Sequence, residues 1–300
     1  MVTLYLLSII RNKKLKDIEL VACHIIYGNR IESMKEFDIV KEFCWRLNIK
    51  LYYFSIDYLR RIELDRDFYE NTTRDIRFNV YKSIIQDKKE HGVFLGHIQE
   101  DMIENIWSNI SKCQHIFDLK KMSIEMDIEG INIVRPFLFT NKVKLLEISH
   151  THNIPYLKNT TPLWSNRGKF RNRFYKETHI QYGESVDKKL IEFSDTLSNI
   201  GRILENTIFK PILSSYNEEE KTLNITRAIE AELDNISWLN IFERICHNKL
   251  KISKPSIHSI NEFMKRISKL NKDNIKIQLK KNLQILVYKE DNNYFIKYII

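Results

Sequence analysis

Hydrophobic and polar positions follow two alternating periods through the first half of the chain. Residues 2–12 (VTLYLLSIIRN) suit a helix, and 19–27 (ELVACHIIY) form the near-continuous apolar run of a buried strand. Residues 32–47 then place Met34, Phe37, Val40, Phe43, Cys44 and Leu47 at helical spacing. A strand at 50–56 (KLYYFSI), a helix over 70–90, a short strand at Val93–Leu95 and a helix over 101–112 continue the series. Strand and helix in alternation predict the α/β class, a doubly wound parallel sheet with helices on both faces. The start is unusual. Such a domain normally opens with a strand whose turn holds phosphate at a helix N-terminus, and here the helix itself comes first.

From Gly183 the pattern changes. Helical periodicity runs through 185–210, an acidic turn falls at Asn217–Lys221, and helices are expected near 222–247 and 256–270. The last stretch, IQLKKNLQILVYKEDNNYFIKYII, predicts two strands around the turn Glu290-Asp291-Asn292-Asn293. The expected organisation is a domain over 1–182 and a smaller helical domain over 183–300 that ends in a β-hairpin.

Composition adds bounds. At 300 residues and 43% hydrophobic content the chain can bury a sizeable core. Its net charge of +9 and pI near 9.1 favour an anionic partner such as RNA. The excess of Ile, Lys and Asn over Ala and Gly assigns part of that lysine content to codon bias, which weakens the charge argument. Cys23, Cys44, Cys113 and Cys246 are widely spread without a C-x-x-C, so neither a zinc site nor a disulfide framework is indicated. No apolar run approaches the roughly 20 residues of a membrane span, and the apolar N-terminus lacks a charged leader and a cleavage site. A cytoplasmic location is expected.

Several segments in a fixed order carry a family resemblance. His24-Ile25-Ile26-Tyr27-Gly28-Asn29-Arg30 with Glu32-Ser33 looks like a strand end and turn beside an adenine nucleotide. Thr73-Arg74-Asp75-Ile76-Arg77-Phe78 places two arginines three apart on one helix face. Gly96-His97-Ile98-Gln99-Glu100-Asp101-Met102-Ile103-Glu104-Asn105 is similar to the signature H-[HN]-x-D-D-x-x-E-[TN]. Val134-Arg135-Pro136-Phe137-Leu138, Leu145-Leu146-Glu147 and Asn153-Ile154-Pro155-Tyr156 lead into Thr160-Thr161-Pro162-Leu163-Trp164-Ser165-Asn166-Arg167-Gly168-Lys169-Phe170-Arg171, similar to D-S-T-P-x-W-S-x-R-G-K-I-R. Together these segments, within residues 1–176, resemble the PP-loop ATP pyrophosphatases of the tRNA(Ile)-lysidine synthetase type. The implied fold is adenine nucleotide α-hydrolase-like. Glu100-Asp101 replaces a pair of aspartates, Ile98 a polar residue, and Asn159 an aspartate. The family's S-G-G-x-D-S loop is missing from this sequence, in which Met1 falls where the residue immediately after it belongs. A chain lacking the strand that carries this loop is expected to express poorly or aggregate, because flanking strands would keep unpaired backbone groups.

Enzymes of that family cleave ATP between the α- and β-phosphates, attach AMP to a base oxygen, and let an amine or sulfur nucleophile displace it. The resemblance therefore implies ATP, Mg²⁺ and tRNA as ligands, with free lysine as the amine. Asp101 and Glu100 are the expected metal ligands, since both offer oxygens to a hard cation. His97 and His24 are expected at the nucleotide, and Arg74, Arg77, Asp101 and Arg135 at the reacting groups. Lys169 and Arg171, with Arg167 and Arg173, suit pyrophosphate or the RNA backbone.

Plainer readings stand beside these. Arginines three apart also make a solvated helix face, and Glu100 and Asp101 also suit the charged start of a helix. His24 equally suits a packed strand position, and Tyr52-Tyr53-Phe54 and Trp107 read as core. The lysines near Lys280 and Lys281 fit an exposed strand face as well as a module gripping tRNA. Three functions remain open: an ATP-dependent tRNA-modifying ligase, a non-catalytic RNA-binding descendant, and a tRNA sulfur transferase. The absence of paired cysteines near the motifs favours an amine nucleophile over sulfur.

Overall fold

The structure is a computed structural model that describes residues 1–15, 17–28, 32–59, 63–85, 92–158, 161–163, 165–268 and 274–299. Asn29, Arg30, Asn159, Thr160 and Trp164, quoted above, lie outside the described residues, as do the ends of the helices expected over 70–90 and 256–270. The chain forms two compact units, Met1–Asp195 and Thr196–Ile300. A boundary was expected near Gly183. That glycine closes one helix, and the division falls inside the next, Val186–Leu204, whose continuous backbone carries the chain from one unit to the other.

The first unit follows the predicted alternation: α1 Val2–Lys14, β1 Val21–Ile26, α2 Ser33–Arg46, β2 Lys50–Ser55, α3 Arg66–Ile85, β3 Val93–Phe94, α4 Gln99–Ser111. β1 and β2 pair in parallel from Val21↔Lys50 to Ile26↔Ser55. Sequence patterning did not indicate the next two strands, β4 Glu125–Ile128 and β5 Ile131–Val134, a hairpin in which β5 pairs in parallel with β3 and antiparallel with β4. Among the described residues the β1–β2 ladder and the β3–β5–β4 ladder share no hydrogen bonds. Phe78 of α3 buries against Ile131 and Ile133 of β5, while Phe37 of α2 packs its ring 4.8 Å from Tyr53 of β2.

Helix starts are set by side chains. Asp101 accepts the Ile98 N–H at 3.1 Å at the start of α4, the reciprocal half of a capping box in which isoleucine cannot supply the other half. Asn141 caps α5 (Lys142–Thr151) through the Lys144 N–H at 3.0 Å. A continuous helical stretch follows, α6 Asn166–Lys169, a π-helical turn over Phe170–Phe174 and α7 Tyr175–Tyr182, then α8 Val186–Leu204.

A brace around the buried Asp187 ties α7 to the start of α8. Asp187 accepts from the Tyr175 hydroxyl at 2.5 Å and from His179 Nε2 at 3.0 Å, and Glu184 lies 3.1 Å from His179 Nδ1. Burial pulls the His179 pKa down, but the hydrogen bond and charge of Asp187, with Glu184, outweigh it, and the net direction is upward. The stabilisation is therefore fully present below the unfolded value near 6.5 and lost as pH rises through the raised folded value. Urea unfolding of His179→Gln against the parent chain is expected to show a deficit of about 1–2 kcal/mol at pH 5.5 that shrinks on raising the pH to 8.5. An equal deficit at both pH values would contradict a charged brace.

The second unit contains α9 Lys210–Ser214, β6 Thr222–Asn224, α10 Thr226–Glu230, α11 Asn235–Ile245, α12 Ile257–Ile267, β7 Ile275–Lys280, β8 Leu283–Glu290 and β9 Asn293–Ile299. The sheet order is β6-β9-β8-β7, antiparallel throughout. Two expectations are corrected here. The helix near 222–247 begins with a strand, because Leu223 sits fully buried against the sheet's core face. The terminal hairpin is part of a four-stranded sheet, because Lys281-Asn282 makes a further turn between β7 and β8. The anticipated turn does form. Asp291 (φ 44°) and Asn292 (φ 67°) both take the left-handed conformation that a two-residue hairpin of the favoured twist requires. Trp238, Phe242 and Phe263 fill the core, with Phe263 stacked edge-on to both neighbours at 4.9 and 5.1 Å. No helix among the described residues is long and apolar enough to cross a membrane.

Candidate active site

A cleft of about 1760 Å³ opens at the carboxyl ends of the first unit's parallel strands, where open α/β sheets place their ligands. Tyr27 and Gly28 follow β1, Asp57 and Leu59 follow β2, and His97 follows β3. Gly28 has φ +63°, and a Cβ there would lie 2.4 Å from the Asp57 Cβ and 2.8 Å from its Cα. The two strand ends approach this closely only because the side chain is absent. The opposite wall is α4, with Asp101, Glu104 and Trp107, faced by the segment that carries Arg167, Phe170 and Phe174.

Four charges meet across this wall. Both Arg167 and Arg171 donate to Asp101 Oδ1, Arg171 at 2.6 Å, and both Nε groups donate to Glu104 Oε2 at 3.1 Å. Helical spacing explains the match, since acids at i and i+3 on α4 face arginines at i and i+4. The carboxylates are well covered, with the Asp101 side chain 11% and Glu104 22% exposed, whereas Arg167 is half exposed. The arginine segment is locked by Ser165, whose Oγ accepts the Gly168 N–H at 2.9 Å and donates to the Pro162 carbonyl at 2.7 Å. Sequence reading did not single out Glu104 as a site residue. The signal was its i+3 relation to Asp101.

His97 sits deeper. Burial depresses its pKa, and Arg135, Arg167 and Arg77 add to this while Asp101 opposes it. The imidazole is therefore neutral at neutral pH, and its buried Nδ1 has no protein partner. Arg135 is 4% exposed; one guanidinium nitrogen donates to the Ser123 carbonyl at 3.1 Å, and its buried Nε is unpartnered. Burial pulls its pKa down. Arg77 lines the cleft.

Other sequence-predicted residues fall elsewhere. Arg74 is exposed and lies over the Phe78 ring at 4.8 Å. His24 belongs to the β1 face that packs on α2, 6.0 Å from the Phe37 ring. Lys169 and Arg173 are exposed beside the arginine pair. Glu100 accepts the Lys142 N–H at 2.8 Å through one oxygen, and its other, buried oxygen has no partner.

Divalent metal binding can be tested against this donor set. Asp101 spends one oxygen on the Ile98 N–H and the other on two guanidiniums, and Glu100 turns toward the start of α5. Among the described residues no three His, Cys, Asp or Glu side chains gather as a metal site. The residues thus do not fit a resident Mg²⁺.

An α/β protein with a charged cleft at the carboxyl ends of parallel strands belongs to a class whose ligands enter from that edge. The chain belongs to the PP-loop domain family, whose profile matches residues 1–177. It is 24% identical over 226 residues to the tRNA(Ile)-lysidine synthase of Chlamydia felis, covering 74% of this chain and 69% of that protein. The tRNA(Ile)-lysidine synthase of Mycoplasma mycoides is 24% identical over 282 residues, 93% of this chain and 66% of the relative, so the likeness extends into the second unit. Among solved structures, the U34-tRNA thiolase NcsA from Methanococcus maripaludis with its [4Fe-4S] cluster has the same fold, with a TM-score of 0.51 and 14% identity over 66% of this chain and 68% of that one.

Proposed function

We propose that the protein modifies tRNA at the expense of ATP, in the manner of a tRNA(Ile)-lysidine synthase: a wobble cytidine oxygen is adenylylated with release of pyrophosphate, and lysine then displaces AMP. The observation that carries this reading is the paired-charge wall of Asp101, Glu104, Arg167 and Arg171 in a family-typical cleft. Each guanidinium keeps N–H groups beyond the two it gives to Asp101 and Glu104, and these are the candidate donors to phosphate oxygens. Arg135, desolvated and only partly hydrogen-bonded, adds positive charge beside His97, whose neutral ring lines the cleft. Lys169 and Arg173, both exposed, suit contacts to the RNA backbone. Magnesium is treated as part of the MgATP substrate.

A sulfur nucleophile is less well supported. No cysteine is among the described residues that line the cleft, and burial pushes the Cys246 thiol up to about 11, away from the thiolate form that sulfur chemistry needs. The test is release of AMP and pyrophosphate from MgATP, measured on the chain and on any in-frame upstream extension of it, with tRNA carrying a wobble cytidine. Pyrophosphate release that requires tRNA, and AMP release that requires both tRNA and lysine, are the expected results. Tight tRNA binding without nucleotide turnover in every form would replace this reading with that of an RNA-binding descendant.

A further inference from the structure

The sheet of the second unit has one face that the fold does not use. Ile277, Leu279, Leu283, Ile285, Val287, Ile296 and Tyr298 point into the core. The alternate positions make three cross-strand rows on the other face. Lys276, Leu286 and Lys297 form the middle row, in register across β7, β8 and β9. Tyr288 pairs with Phe295 on one side of it, and Gln278, Gln284 and Ile299 form the row on the other. None of the apolar members, Leu286, Tyr288, Phe295 or Ile299, belongs to the core cluster, and Ile299 is 40% exposed.

This composition is unusual for a solvated sheet face, where polar residues normally alternate with buried ones. The rings of Tyr288 and Phe295 stack at 5.5 Å with 21° between their planes. Burial, with Glu290 and Glu220, holds the Tyr288 phenol above its ordinary range, and it presents a neutral hydroxyl. Lys276 and Lys297 stand on either side of the middle strand, about 10 Å apart by strand spacing. In the glutamine row Gln278 gives its amide nitrogen to the Lys280 and Leu283 carbonyls, and its oxygen accepts from Gln284.

An aromatic pair beside a row that carries two lysines is a combination that holds unpaired nucleotides: rings take base faces and cations take phosphates. A protein partner would use the apolar positions but not the flanking cations. We propose that this outward face binds a single-stranded segment of RNA, with bases on Tyr288 and Phe295 and phosphates at Lys276 and Lys297. The proposal rests on the reading that the substrate is RNA, and it assigns part of that substrate's recognition to the sheet.

The test uses the full chain and a fluorescein-labelled single-stranded RNA of about ten nucleotides, with anisotropy read over a salt series. Lys276→Gln with Lys297→Gln is expected to weaken binding about tenfold and lower the salt slope by about 1.4, at roughly 0.7 per phosphate contact. Tyr288→Leu with Phe295→Leu is expected to weaken binding at least fivefold while leaving the slope unchanged. The lysine variant touches no core position, so it keeps the test valid if the aromatic one unfolds. Unchanged affinity and slope in the lysine variant would overturn the proposal. So would a shift in sedimentation with unaltered RNA affinity, which would assign the face to a second copy of the chain. Because binding is read without turnover, failure here and failure of the proposed reaction are separate results.

Discussion

Gly168→Ala is expected to abolish turnover and to cost about 2–3 kcal/mol of stability. An added Cβ would lie 2.0 Å from the Pro162 carbonyl oxygen, 2.9 Å from its carbon and 3.1 Å from the Leu163 Cα. All three atoms are backbone, so no rotamer relieves the clash. The chain must open the turn that Ser165 closes, and that turn sets the azimuth of Arg167 and Arg171 against α4. Ser165→Ala removes the cap without the clash and is expected to cost only about 1 kcal/mol. Urea unfolding and AMP release measured on both variants separate the two effects. A Gly168→Ala protein with parent-like stability and turnover would show that the segment relaxes freely.

Asp101→Ala is expected to be the most damaging change on α4, at about 2–4 kcal/mol. One carboxylate oxygen holds the Ile98 N–H at the helix start, and the other sits between two guanidiniums in a largely covered position. Removing it loses a cap and leaves Glu104 alone against two cations. Arg167 is half exposed, so solvent screens its share, and Arg171 carries more of the coupling. A double-mutant cycle between Asp101→Asn and Arg171→Gln is expected to return a coupling of about 1–2 kcal/mol, against a smaller value for Arg167→Gln. Zero coupling for Arg171 would reduce the wall to an incidental surface pairing.

The alternation of strand and helix through α4 was legible because each of those elements buries one face and shows it as a period. The hairpin of β4 and β5 was not, because its strands are four residues each and their apolar positions, Ile131 and Ile133 among them, are too few to display alternation. Leu223 illustrates the same limit: three residues joined a sheet by pairing with a strand some 70 positions later, information no local window holds. At the site, His97, Asp101, Arg77, Arg135 and Arg171 were readable as chemistry through the ordered motifs. Their partners were not. Glu100 was expected beside Asp101 at a cation, yet the two adjacent side chains diverge, one to the start of α5 and one to the arginines. Adjacent residues on a helix point about 100° apart, and spacing alone cannot say which direction faces the cleft.

The π-helical turn over Phe170–Phe174 has an evolutionary consequence. It holds one residue more than an α-helical turn would, and the wider turn absorbs that residue, so deleting one there would return the stretch to a regular helix with everything after it still facing the same way. An insertion or deletion between Tyr175 and His179 would instead swing one of the two away from Asp187 by about 100°. Changes of length should therefore be tolerated within Phe170–Phe174 and be rare in the α7 turn that follows it.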